Sequence, residues 1–88
     1  MSQLEDRFEI AAARAQNLPD EPSNDDMLSL YALFKQATAG DVAGDRPGMT
    51  DVQGRAKYDA WAELEGMSTE EAMQQYVDLV EDLRERLG

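Results

Sequence analysis

Apolar residues return every three to four positions in four separate stretches of the chain, and each break between stretches is chemically marked. Between residues 4 and 17, Leu4, Phe8, Ala11, Ala12 and Ala15 fall at helical spacing with little bulk, which predicts a helix that lets its neighbours approach closely. Leu18-Pro19-Asp20-Glu21-Pro22 ends it, because prolines and the residues before them disfavour helix. Ser23 then reads as the N-cap of a second helix, with Asn24, Asp25 and Asp26 in the first turn, where free N–H groups favour polar and negative side chains. That helix is predicted to reach about Ala39, with Gly40 as the residue that turns the chain out of it. A third helix is expected from about Gln53 to near Gly66, with Ala56, Ala60, Trp61 and Leu64 on one side. Ser68-Thr69-Glu70-Glu71 has the form of a capping box, the Ser68 hydroxyl accepting the Glu71 N–H and the Glu71 carboxylate accepting the Ser68 N–H. Behind it Ala72, Met73, Tyr76, Val77, Val80, Leu83 and Leu87 hold the helical period to residue 87. Strand-like alternation and repeats are absent, so the 88 residues predict a single all-α domain, residues 1–88, built of four helices around one modest core.

The second helix carries more apolar surface than one core contact needs: between residues 27 and 38 it spreads over more than half the helix circumference. Lys35 falls inside that arc, between Tyr31 one turn earlier and Leu28, whereas Asp25, Ser29 and Gln36 share the polar face. Two readings follow from the residues. In one, the lysine stem packs on apolar surface and its ammonium reaches water; in the other, Lys35 edges an anion site framed by apolar groups.

Charge sharpens the choice. The formal net charge is −11, so the chain repels nucleic acid and anionic membranes unless its cations are concentrated. They are: residues 31–58 hold Lys35, Arg46, Arg55 and Lys57 against Asp41, Asp45 and Asp51, a local +1, which leaves −12 on the remainder. Such relief suits a compact polyanion, not a long phosphate backbone. Without cysteine or histidine, thiolate chemistry, the commonest general base and the commonest transition-metal ligand all drop out. A calcium loop starting at Asp41 fails in register, with Arg46 where glycine and Val52 where glutamate are required. No basic start leads into an apolar run and no 18 apolar residues stand together, so neither signal peptide nor membrane span is expected, and the protein is expected to be soluble and cytoplasmic.

Met27-Leu28, Tyr31, Phe34-Lys35-Gln36-Ala37-Thr38, Gly40-Asp41, Arg46-Pro47-Gly48-Met49, Lys57-Tyr58-Asp59-Ala60-Trp61, Leu64, Gly66 and Ala72-Met73 followed by Tyr76 occur in an order and at separations that resemble the acyl-CoA-binding protein family over nearly the whole chain. The resemblance implies a skewed four-helix bundle with up-down-down-up helices, and a non-covalent carrier of medium- to long-chain acyl-CoA that needs no cofactor. It further implies that Tyr31, Lys35 and Lys57 hold the phosphorylated ribose and adenine, with Phe34 in the adenine environment. Tyr76, Phe8, Ala12, Met27 and Leu28 are implied to border the ligand, together with Gln16 at a position where the family often has lysine. The implied protein is a monomer that binds fatty acyl-CoA, neither nucleic acid nor a membrane interior, and meets acyl-CoA-using enzymes transiently.

Departures from the family pattern are Gln16 and Gln53 at common lysine positions, Phe34 where tyrosine is frequent and Tyr58 where tryptophan is. Phe34 keeps a stacking face and loses a hydroxyl. Trp61 is expected in the core, and Arg46-Pro47-Gly48-Met49 is expected to be a structural turn. An enzyme would need a nucleophile or base from Ser, Lys, Tyr or carboxylates, and no carboxylate pair stands apart from the solvated faces. The competing reading is an acidic helical interaction module that offers its wide apolar arc to a partner helix, with no small-molecule ligand.

Overall fold

The computed structural model describes residues 2–88 and contains four helices: α1 (Gln3–Ala15), α2 (Asn24–Ala39), α3 (Val52–Ala62) and α4 (Thr69–Leu87). Each begins where a side-chain oxygen meets an orphan N–H. The Ser23 hydroxyl accepts from Asp26 N at 3.1 Å, the Asp51 carboxylate from Gly54 N at 3.0 Å and the Ser68 hydroxyl from Glu71 N at 3.0 Å. The capping box at Ser68 is half formed: among the described residues, the Glu71 carboxylate does not accept the Ser68 N–H. At α1 Ser2 does both jobs, accepting from Glu5 N and donating to the Glu5 carboxylate, each at 3.1 Å.

Two helices stop short of their predicted ends. Helix α1 ends at Ala15, where Gln16 N and Asn17 N bond three residues back, to Ala13 O and Arg14 O. Helix α3 ends at Ala62, and similar tight bonds from Leu64, Glu65 and Met67 carry the chain through Gly66 to α4. Gly40 leaves α2 at φ 82°, in the region that glycine alone occupies without strain.

Side-chain pairs fix the helix directions. Phe8 meets Tyr76 at 5.1 Å and Arg14 meets Glu81 at 2.9 Å, so α1 and α4 run parallel. Phe34 also meets Tyr76, at 5.9 Å, while Asp26 meets Arg86 at 3.4 Å, so α2 opposes α4. Lys57 lies over Tyr31 and Lys35 over Trp61, so α3 is parallel to α2. The order is up-down-down-up, in a flattened body of 36 × 30 × 15 Å. Parallel neighbours cannot be joined by a tight turn, which explains the long aperiodic stretch between α2 and α3. That stretch returns along the bundle and is fastened to α3 by a two-pronged bond from Arg46 to Asp59, at 2.8 and 2.7 Å, and by the Tyr58 hydroxyl donating to Gly44 O at 3.1 Å. Arg46 and Pro47 themselves lie outside any turn; the turn falls one step later, at Met49 and Thr50, where Asp51 N donates to Gly48 O at 3.0 Å.

The core joins Phe8 and Ala11 of α1, Leu33 and Ala37 of α2, and Ala72, Tyr76, Val77 and Val80 of α4. Alanine at so many core positions brings the helices close, as the sparse bulk of α1 predicts. Helix α3 contributes no buried residue, because it packs on α2 alone among the helices. Gln36 departs from its assigned polar face. It is 0% exposed: its amide donates to Asp41 Oδ1 and Met67 O, both at 2.8 Å, and its Oε1 accepts from Trp61 Nε1 at 3.1 Å. A wheel drawn for a lone helix cannot register those partners, which come from the start of the loop after α2 (Asp41), from α3 (Trp61) and from the α3–α4 connection (Met67). Every buried side-chain polar atom among the described residues is hydrogen-bonded, as a stable interior requires.

Candidate functional site

Helices α2 and α3 carry the same two chemistries in opposite order. On α2 the aromatic Tyr31 precedes Lys35 by one turn; on α3 Lys57 precedes the aromatic Trp61 by one turn. Because the helices are parallel, each lysine meets the other helix's aromatic ring. Lys57 Nζ stands 5.4 Å from the Tyr31 ring centroid, and Lys35 Nζ stands 5.0 Å from that of Trp61. Both distances lie within cation–π range. The two ammonium groups therefore occupy successive rungs of one seam, about 6 Å apart along the helix axes.

Neither lysine is paired with a carboxylate among the described residues; Arg14, Arg46, Arg84 and Arg86 are paired, while Arg7 and Arg55 share the lysines' lack of a partner and only the two lysines lie over aromatic rings. In a chain of net charge −11 this is informative. The seam holds positive charge that the protein's own acids do not neutralise, while the rings leave the ammonium donors free for an incoming anion.

The lower rung is held from behind. Trp61 Nε1 donates to Gly40 O at 2.8 Å and to Gln36, so the indole beneath Lys35 is locked by the buried amide. Asp41 completes this hub, accepting from Gly66 N and from Gln36, both at 2.8 Å. Those two bonds, the Gly66 N–H foremost, hold the Asp41 carboxyl below the ordinary carboxylate range. Trp61 is accordingly half-buried and bonded at its edge, not part of the core as its size suggests.

Beside the upper rung opens a groove of about 560 Å³. Met27, Leu28 and Tyr31 form its α2 wall, Val52, Ala56 and Lys57 its α3 wall, and Ala15, Leu18 and Pro22 close the side nearest α1. Met27 is 46% exposed and Val52 73%, so apolar surface stands open to solvent next to an unneutralised ammonium. The arrangement suits a ligand with a phosphorylated head and a greasy tail.

Of the residues implicated by resemblance, the structure gathers Met27, Leu28, Tyr31 and Lys57 along this groove and places Lys35 on the adjoining rung. Phe34 is 38% exposed, stacked on Phe8 at 5.6 Å with an interplanar angle of 26°. Phe8 and Tyr76 lie behind it as buried core rings, and burial pushes the Tyr76 hydroxyl pKa up. Phe8, Ala12, Gln16 and Tyr76 do not line the groove; Ala12 is half-buried against the core and Gln16 is the exposed C-cap of α1. Ala15, Leu18, Pro22 and Val52 are wall residues that the sequence reading does not single out. Their signal is weak, since linker residues and an exposed helix start carry no periodic pattern.

Comparison with known proteins places the chain in a family. The sequence profile of the family described as "Acyl CoA binding protein" matches residues 5–80. The chain is 49% identical over 81 residues to acyl-CoA-binding protein homolog 1 of Caenorhabditis elegans, covering 92% of this chain and 94% of that protein. It is likewise 49% identical over 85 residues to the acyl-CoA-binding protein of Gossypium hirsutum, covering 97% and 96%. In three dimensions it resembles the crystal structure of Oryza sativa acyl-CoA-binding protein 2, with a TM-score of 0.90 and 48% identity over 94% of this chain and 92% of that one.

Proposed function

The chain belongs to the acyl-CoA-binding protein family, and on that premise we propose that it binds medium- to long-chain acyl-CoA esters non-covalently and serves as a cytoplasmic carrier and buffer for them. The observation that carries the reading is the pair of lysines resting on aromatic faces, unneutralised, beside an open apolar groove in a strongly acidic protein. Lys35 and Lys57 receive the phosphorylated ribose, and Tyr31 and Phe34 offer faces to the adenine. The acyl chain lies along Met27, Leu28 and Val52; Phe8 and Tyr76 back the Phe34 face from the core, and Ala12 and Gln16 stand outside the groove. Charge-assisted bonds from two ammonium groups supply head-group affinity, and burial of methylenes supplies the rest. The carrier acts as a monomer, without a cofactor and without turnover, and hands its ligand to enzymes in transient encounters. No helix among the described residues is long and apolar enough to cross a membrane, in keeping with a mobile carrier.

Thermal melting with and without palmitoyl-CoA tests the reading. A ligand at 100 times its dissociation constant adds about 2.7 kcal/mol, which for a domain of this size raises Tm by about 10–20 °C. The thioester recovered afterwards should be intact. An unchanged Tm at saturating ligand overturns the ligand assignment, and CoA release above the buffer control overturns the carrier role.

A further inference from the structure

The seam between α2 and α3 has a second side. Opposite the lysine groove lies a trough of about 510 Å³, floored by Ala32, Leu33, Ala60 and Leu64 and edged by Ser29 and by Gln75 of α4. Alanine and leucine share the floor equally: Ala32 and Leu33 are buried at its base, and half-buried Ala60 and Leu64 present the apolar surface an occupant can touch. Leu28 and Ala56 line both the trough and the lysine groove and form the partition between them.

Three carboxylates stand on the trough: Asp25, Asp59 and Glu63. Asp59 is occupied by Arg46, whereas Asp25 and Glu63 are exposed and make no ion pair among the described residues. The rungs align residue 31 with 57 and 35 with 61, which puts Asp25 near one end of the trough and Glu63 near the other, about 18 Å apart along the axes. Three helical turns span nearly that distance. An occupant matched to this surface is a helix with an apolar stripe and cationic side chains about eleven positions apart.

We propose that this trough docks a cationic amphipathic helix of a partner protein, on the side of the α2–α3 seam away from the ligand. Apolar contact with half-buried Leu28, Ala60 and Leu64 provides the anchor, and Asp25 and Glu63 set the register at the two ends. Lys57 lines the other groove and neither lysine lines the trough, so docking leaves the anion site open, and the occupant touches Leu28 and Ala56 from behind. The inference stands independently of the identity of the small-molecule ligand.

The probe is a fluorescein-labelled, amide-capped 18-residue helix of Leu, Ala and Lys, with leucines on one stripe and lysines eleven positions apart. Its control has the same composition with the leucines spread around the helix. Anisotropy should show binding of the striped peptide, weakened at least tenfold in Asp25→Lys/Glu63→Lys and less than twofold in Glu9→Lys/Glu85→Lys, which makes the same charge change elsewhere. All four side chains are exposed and make no ion pair among the described residues, and circular dichroism checks that both variants fold. Amide shifts on binding should centre on Ser29, Ala60 and Leu64. Equal binding of the control peptide, equal loss in both variants, or shifts centred on Lys57 would each overturn the proposal, because the attraction would then be to net charge or to the ligand groove.

Discussion

Truncating Lys35 separates a phosphate ligand from a packing residue. Lys35 is half-buried against the locked Trp61 ring, whereas Lys57 is exposed on Tyr31, so the two lysines are not equivalent. A charge-assisted bond in a partly desolvated site contributes about 1.5–3 kcal/mol, so Lys35→Ala should weaken palmitoyl-CoA binding by about 10- to 150-fold. Solvent screening places Lys57→Ala nearer the surface-pair range of about 0.2–1 kcal/mol, no more than about fivefold. In the free protein Lys35→Ala removes one cation–π contact, about 0.5–1 kcal/mol, and should leave the fold intact. Titration calorimetry with palmitoyl-CoA and with its dephospho analogue, which lacks the 3′-phosphate, closes a double-mutant cycle. The Lys35→Ala penalty should largely vanish with the dephospho ligand. If both ligands are weakened equally, or if the unliganded variant melts, Lys35 is a packing residue and the phosphate assignment fails.

Gln36→Ala should cost about 3–5 kcal/mol, read as a lower urea midpoint, because it breaks the bonds to Asp41, Met67 and Trp61 and leaves a cavity; Gln36→Leu restores volume alone and should recover only part. Asp41 is held below its usual pKa in the fold, so its contribution is present above the unfolded value of about 3.9 and lost as pH falls through the lower folded value. The Tm gap between the wild type and Asp41→Asn should therefore hold steady from pH 7 to 5 and close at more acid pH; a gap independent of pH down to 2 would refute the linkage. Affinity should climb with acyl length by about 0.8 kcal/mol per methylene until the groove is filled, and a flat series in calorimetry would mean that only the head is held.

Local signals carried the helices well, because a capping serine, a terminal glycine and a 3.6-residue period act within a few residues of themselves. Lys35 was legible for the same reason, its apolar neighbours being on its own helix. Gln36 was not. Its wheel position beside Asp25 and Ser29 looks solvated until Trp61 and the Met67 carbonyl arrive from 25 and 31 residues away. Trp61 misleads in the complementary way: its bulk argues for the core, but its N–H needs an acceptor, and Gly40 O supplies one at the edge of the bundle. The groove walls from Ala15 to Pro22 depend on how the linker after α1 drapes over α2, which no periodicity encodes.

Helix α3, packed on a single other helix and burying none of its own residues, is the element whose local unfolding requires the least disruption of the core, at the cost of its hydrogen bonds to Gly40, Gly44 and Arg46. One wall of the ligand groove thus rests on the scaffold of α1, α2 and α4, and the other on a segment able to detach while that scaffold stays folded. A ligand reaching from Tyr31 to Lys57 ties the two together, so its occupancy should register as slowed amide hydrogen exchange throughout α3, well beyond the residues it touches. If α3 opens independently of the other helices, exchange in α3 should be fast in the free protein and slow when the groove is filled.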